Sequence, residues 1–299
     1  MSVVPAKSPV RTRRQGSGSL RSPAGIREAI RVAALTCLAL LWVGIPLWLL
    51  VINSAKSYDE ASHLGLGLPK KWMLIENYKA VIEKGNYPQA LLNSLIIVVP
   101  TIFVVVLLGS MAAWAFARSR RVSMKIVYNL TVLSILLPPA VLPTIYLLQV
   151  AGIDGTRLGY FLVMTGTRLG LVVFLATGFV RGMPQDLEEA AAIDGASKMQ
   201  IYRVIVLPLL LPVLLVGCVI LIITIWNEFL FASFLLHGSD RDTLPLALFQ
   251  FASTSADVVA MRWDLIFAHV VLTSLPVIAI YLVVQKRIVA GLSEGAVKG

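Results

Sequence analysis

Charge is scarce in this 299-residue chain: Asp, Glu, Lys and Arg make up 14% of it, against about 25% in an ordinary soluble domain. Cysteine is nearly absent. Cys37 and Cys218 both lie inside apolar runs, so neither a disulfide framework nor a cysteine metal site can be built from them. The three histidines, His63, His237 and His269, are too far apart for ligand spacing, and no metal site is expected. No G-x-x-x-x-G-K-[ST] stretch occurs, so the chain does not cradle nucleotide phosphates in that way. No Ser/His/Asp set and no metal-ligand cluster gathers at one depth, which argues against an enzyme. No internal repeat is evident, unlike many self-contained secondary transporters.

What is present is apolar. Hydrophobic residues are 58% of the sequence and mean hydropathy is +0.83. A helix needs about 20 apolar residues to cross a ~30 Å hydrocarbon core. Six runs meet that need: 32–52, 91–117, 126–151, 159–180, 204–236 and 265–284. An all-α integral membrane protein with six transmembrane helices is expected, with both termini on one side. Prolines interrupt several runs (Pro100, Pro138, Pro139, Pro143, Pro208, Pro212 and Pro276), and the carbonyls they free need partners in protein or water.

The formal net charge of +10 comes from basic residues beside apolar runs, the pattern that sets membrane orientation rather than nucleic-acid binding. The group Arg118, Arg120 and Arg121 after the second run is the strongest vote, and it places both termini in the cytoplasm. Residues 1–29 are polar and rich in Arg, Ser and Pro, and read as a disordered basic cytoplasmic tail. The first run lacks a small-residue cleavage signal after it and is expected to remain as an anchor. The permease body is expected over 30–287, with a cytoplasmic tail over 288–299.

One cytoplasmic segment, 183–203, carries a pattern of its own. Pro184 suits a helix start. Asp186, Glu188 and Glu189 put negative charge where the helix dipole favours it. Ala190, Ala191 and Ala192 are strong helix formers of small profile. Gly195 permits a sharp turn, and a second helical stretch over 197–204 leads back to the membrane. A small face, flanking carboxylates and a bend make a surface another protein can approach closely.

The segment resembles the EAA loop of ABC-importer permeases: Glu189-Ala190-Ala191, then Asp194-Gly195-Ala196, then Ile205-Val206-Leu207-Pro208. The chain also ends as the maltose-type, carbohydrate-uptake branch does, in Gln285-Lys286-Arg287 and on through Val289, Gly291, Leu292, Gly295, Ala296, Val297, Lys298 and Gly299. Asn93-Ser94 and Trp226-Asn227-Glu228 are similar to that branch as well. The resemblance implies a type I ABC importer permease fold in a bacterial cytoplasmic membrane. Implied partners are a second homologous permease, two ATPase subunits that bind ATP and Mg, and an extracytoplasmic solute-binding protein that delivers a sugar or oligosaccharide. No cofactor is expected in this chain.

Glu188, Glu189, Ala190, Ala191, Asp194, Gly195 and Ala196 would then couple to an ATPase subunit, with Glu189 pairing an arginine. Gly291, Gly295 and Lys298 would reach toward the ATPases. Arg168, a charge inside the fourth run, faces the bundle interior by cost alone. Arg168, Trp226, Asn227, Glu228 and Asn93 are candidates for the solute path. Arg168 and Glu228 could equally form a structural pair. Cargo other than sugar (a phosphorylated polyol, an amino acid or a peptide) stays open, as does an autonomous transporter.

Overall fold

The computed structural model describes residues 23–137, 140–254 and 261–296, and among them every regular element is a helix. α1 (Pro23–Ala39), a widened π turn at Leu40–Gly44 and α2 (Ile45–Ser54) follow one another without a gap. Two short outer helices come next, α3 (Tyr58–Ala61) and α4 (Leu74–Lys84), then the long α5 (Tyr87–Arg118). α6 (Val122–Leu136) and α7 (Val141–Val150) precede α8 (Arg157–Gly182). α9 (Asp186–Ile193) and α10 (Lys198–Ile201) lead through a second π turn at Tyr202–Val206 into α11 (Leu207–Trp226). α12 (Leu230–Leu235), α13 (Leu244–Thr254) and α14 (Trp263–Ala296) complete the order.

Among the described residues, five helices are long and apolar enough to span a membrane: Ile26–Ser54, Tyr87–Arg118, Arg157–Gly182, Lys198–Trp226 and Trp263–Val283. A sixth arises if α6 and α7, inclined by 117°, make one broken span. Two expected runs therefore change. The run 126–151 is not one straight helix, because α6 ends just before Pro138 and Pro139, and a residue preceding proline is driven from the α region. The run 204–236 stops at Trp226 and resumes as α12. The N-terminal segment also differs from expectation. Helix begins at Pro23, inside the expected 1–29 tail, while residues 1–22 lie outside the described residues. The expected tail over 288–299 is helical through Ala296, continuous with the last span.

The two π turns share a cause. Each is centred four residues before a proline: Trp42 before Pro46, and Val204 before Pro208. In a regular α-helix the proline ring presses on that carbonyl. Widening one turn relieves the contact and lets the helix continue.

The chain divides at Leu49 into two compact units. In the first, α1 and the π turn are exposed on all sides, with Trp42 76% exposed. A helix apolar all round belongs in lipid. The second unit contains the bundle. Its inner core joins α5, α8 and α11 through Val105, Ala113, Val172, Ala176, Tyr202, Val206, Leu210 and Leu221. A separate outer core gathers Ile97, Leu148, Tyr160, Met164, Phe231 and Leu235.

Burying apolar surface gains little between helices in lipid, so close backbone approach and hydrogen bonds must hold them. Gly109 shows the first: a Cβ there would come within 2.8 Å of Val172 Cγ1, so α5 lies directly on α8. Gly170 does the same for α8 and α6, where a Cβ would meet the Thr131 carbonyl oxygen at 2.5 Å.

Candidate functional site

The segment between α8 and α11 folds as two short helices about a glycine. Asp186, Glu188 and Glu189 occupy the first turn of α9, complementing its dipole. At its end the amide of Gly195 donates to the Ala192 carbonyl and that of Ala196 to the Ala191 carbonyl. This is the Schellman pattern, which calls for a left-handed residue at the glycine position, and Gly195 has φ +84°. Ser197 then caps α10 reciprocally. The Gln200 amide donates to its hydroxyl at 3.4 Å, and the Ser197 amide donates to Gln200 Oε1 at 2.7 Å.

The two faces of α9 differ. Ala191 and Ala196 pack against the inner core. Glu189, Ala190 and Asp194 are exposed, and Ile193 is 86% exposed. The expected alanine face is thus split, with Ala190 outward and Ala191 inward. Leu187 and Ile193, which sequence reasoning missed as surface residues, give the outer face apolar contacts.

Glu188 is not part of that outer face. Its carboxylate accepts from Trp114 Nε1 at 2.8 Å, from Arg118 Nε at 3.0 Å and from Arg118 Nη2 at 2.6 Å. Arg118 Nη2 also donates to the Met183 carbonyl at 3.2 Å. Two nitrogens of one guanidinium on one carboxylate make a strong, directional contact. The last turn of α5 therefore grips both ends of the stretch Met183–Glu188. Trp114 lies against Tyr202, ring centroids 6.0 Å apart, and the Tyr202 hydroxyl is 2.7 Å from Ser110 Oγ. A cavity of about 720 Å³ opens beside this cluster, lined among others by Arg120, Gln185, Glu189 and Lys198.

The five candidates for the solute path separate. Arg168 Nη2 donates to Glu228 Oε2 at 2.7 Å, and both side chains are largely buried. The second Glu228 oxygen accepts from the Phe231 amide at 3.0 Å, capping α12. Glu228 thus both pairs with α8 and holds the break after Trp226. Near this pair the Tyr160 hydroxyl and Arg168 Nε are buried without a hydrogen-bond partner among the described residues. Asn227 is exposed, its amide donating to the Ile223 carbonyl at 2.8 Å. Trp226 is buried, with Nε1 donating to the Thr273 carbonyl at 3.2 Å, which ties the end of α11 to α14.

Asn93 is also fully buried and fully engaged. Its Nδ2 donates to the carbonyls of Asp240 and Asp242, each at 2.9 Å, while its Oδ1 accepts from Arg157 Nη2 at 2.9 Å. Ser94 Oγ accepts the Leu244 amide at 2.9 Å. Asn93-Ser94 therefore fastens the loop before α13 onto the start of α5. Arg157, missed in the sequence, is its partner. Gly291 and Gly295 lie on α14, and Lys298 lies outside the described residues.

Residues 105–294 match the family model for the binding-protein-dependent transport system inner membrane component. The chain is 35% identical over 265 residues to the probable starch degradation products transport system permease protein AmyC of Thermoanaerobacterium thermosulfurigenes, covering 87% of this chain and 93% of the relative. It is 31% identical over 263 residues to the melibiose/raffinose/stachyose import permease protein MelC of Bacillus subtilis (85% and 91% covered). Identity is also 31% over 277 residues to the trehalose transport system permease protein SugB of Mycobacterium tuberculosis (92% and 100% covered). In fold, the chain is similar to the crystal structure of a bacterial ABC transporter involved in the import of the acidic polysaccharide alginate, with TM-score 0.77 and 20% identity. That likeness covers 89% of this chain and 98% of the other.

Proposed function

The chain belongs to the family of inner membrane components of binding-protein-dependent transport systems, and on that premise we propose that it is the membrane-spanning permease subunit of an ATP-driven importer for a sugar or oligosaccharide. Relatives named for starch products, melibiose, raffinose, stachyose and trehalose support the cargo class. The protein is a multi-pass membrane protein. ATP and Mg are bound by separate ATPase subunits, a second homologous permease completes the channel, and an extracytoplasmic binding protein delivers the solute.

The observation that carries the reading is the turn α9–Gly195–α10. It is an exposed element with two acidic side chains, Glu189 and Asp194, and an apolar tip, Ile193, facing outward. Its inner side is clamped to α5 by Glu188. Such an element receives a push without yielding. An ATPase subunit with a cleft lined by an arginine and apolar groups fits Glu189, Ala190, Ile193 and Asp194. Closure of two such subunits would then drive the membrane helices between inward- and outward-facing arrangements.

The test is Glu189→Lys in the assembled importer. Chain abundance in the membrane should be unchanged, while labelled oligosaccharide uptake and co-purification of the ATPase subunit are lost. Unimpaired uptake in that variant would overturn the docking surface. Uptake that persists without any ATPase subunit would overturn the importer reading itself.

A further inference from the structure

The segment between α3 and α4, with the start of α4, carries an apolar surface outside the candidate site. Between residues 64 and 75, Leu64, Leu68, Trp72, Leu74 and Ile75 are exposed, Trp72 by 59% and Ile75 by 78%. Lys70 and Lys71, also exposed, stand in their midst. The neighbouring residues of α4 alternate normally, with Asn77 and Val81 turned inward. A concentration of large apolar side chains on a surface marks a contact with a partner or a membrane.

The segment is rigidly placed. The Met73 amide donates to the Ala55 carbonyl at 2.8 Å. Asn53 Nδ2 and Lys56 Nζ donate to the Gly65 carbonyl. Asn77 Nδ2 donates to the carbonyls of Ser54 at 3.0 Å and Lys56 at 2.8 Å. Residues 65, 73 and 77 are thus fixed to residues 53–56, the last two residues of the membrane span that ends at Ser54 and the two that follow it. A stretch pinned within one helical turn of a span's end lies at the depth of the lipid headgroups. The start of α5 at Tyr87 belongs to the same membrane face, opposite the α9–α10 turn, which is held by the far end of α5.

We propose that residues 64–75 are an interfacial anchor, in which Leu68, Trp72, Leu74 and Ile75 enter the headgroup–acyl boundary while Lys70 and Lys71 meet anionic phosphates. The lipid surface is the occupant for two reasons. The patch is pinned to a span end whose last exposed apolar side chain is Val51, just before the buried stretch 52–56. Its composition is that of interfacial segments, where an indole and aliphatic side chains sit on the apolar side and lysines reach the headgroups. The anchor ties the outer end of the first span to the surface, so the bundle can shift while this corner keeps its depth.

The experiment uses the whole chain in bilayer nanodiscs, where both faces meet solvent. Cys37 and Cys218 are replaced by serine and alanine, and an environment-sensitive fluorophore is attached at Trp72→Cys, Ile75→Cys or Glu83→Cys. Labels at 72 and 75 should be quenched by brominated lipid and shielded from aqueous iodide, with the reverse at 83. Replacing Lys70 and Lys71 by glutamine should lose part of the lipid quenching at 75 in anionic bilayers and none in zwitterionic ones. Free access of iodide to 72 and 75 overturns the proposal. Shielding from both quenchers overturns it too, because it identifies a protein cover instead of lipid. Equal lipid quenching with and without the lysines in anionic bilayers overturns their assigned role.

Discussion

Arg118 and Glu188 are 70 residues apart in sequence and 2.6 Å apart in space, the guanidinium closing on the carboxylate at the inner end of α5. The exposed turn that follows is therefore fixed to the second span before any partner touches it.

Removing the carboxylate leaves a half-buried guanidinium and an indole N–H unanswered, at a cost of about 1–3 kcal/mol. Glu188→Ala should lower hydrogen-exchange protection of the amides over 186–196 by about tenfold, which corresponds to ~1.4 kcal/mol. Arg118→Ala should do the same. The double variant should fall well short of the sum of the two, since residues in contact couple. Additive losses would show that the two side chains do not work together.

Gly195 has open space where a Cβ would go, so its substitution tests backbone strain alone. With φ at +84°, Gly195→Ala should cost about 1–2 kcal/mol. The loss should appear in exchange at the α9–α10 turn and spare the amides of α8.

Gly170 and Gly166 form an internal control one helical turn apart. A Cβ at 170 would meet the Thr131 carbonyl oxygen at 2.5 Å, whereas at 166 nothing lies within 4 Å. Gly170→Ala should overpack the α6–α8 contact, at about 1–3 kcal/mol, and lower the thermal midpoint in detergent. Gly166→Ala should leave it unchanged.

Asp242 sets a pH dependence. It is buried in the loop before α13, and burial pushes its carboxyl above the ordinary range, with Asp240 adding to the rise and a hydrogen bond from Gln250 opposing it. A carboxyl whose pKa is raised by folding binds its proton more tightly in the folded state. Its stability contribution is full below the unfolded value and is lost as pH rises through the folded value. Thermal stability should fall on going from acid to neutral pH, and Asp242→Asn should flatten that part of the profile.

The spans that sequence alone located well are those in which hydropathy has no rival. α5, α8 and the membrane part of α14 run unbroken even though hydroxyls such as Ser110, Thr165 and Ser274 donate back to their own helix carbonyls. The break between α6 and α7 was written in Pro138 and Pro139 but is masked in a hydropathy count by their apolar neighbours. The break after Trp226 carries no proline or glycine. It depends on Glu228 capping α12 while Arg168 holds it from another helix, and that contact spans 60 residues of sequence. The EAA-like turn was legible because its motif is local. Which of two adjacent glutamates faces outward was not, since Trp114 and Arg118 decide it from α5. The bonds of Asn93 were not legible for the same reason: its partners are Arg157, at the start of α8, and the carbonyls of Asp240 and Asp242 before α13.

Both ends of α5 are fastened. At the N-terminal end Asn93 and Ser94 bind the loop before α13, and at the C-terminal end Trp114 and Arg118 bind the turn at Glu188. Arg118 stands 25 positions after Asn93 along the helix, about 38 Å at 1.5 Å per residue, more than the thickness of the hydrocarbon layer. This helix is a tie-rod: a tug on the turn at one membrane face arrives at the loop on the other through one continuous helix, with Pro100 inside it.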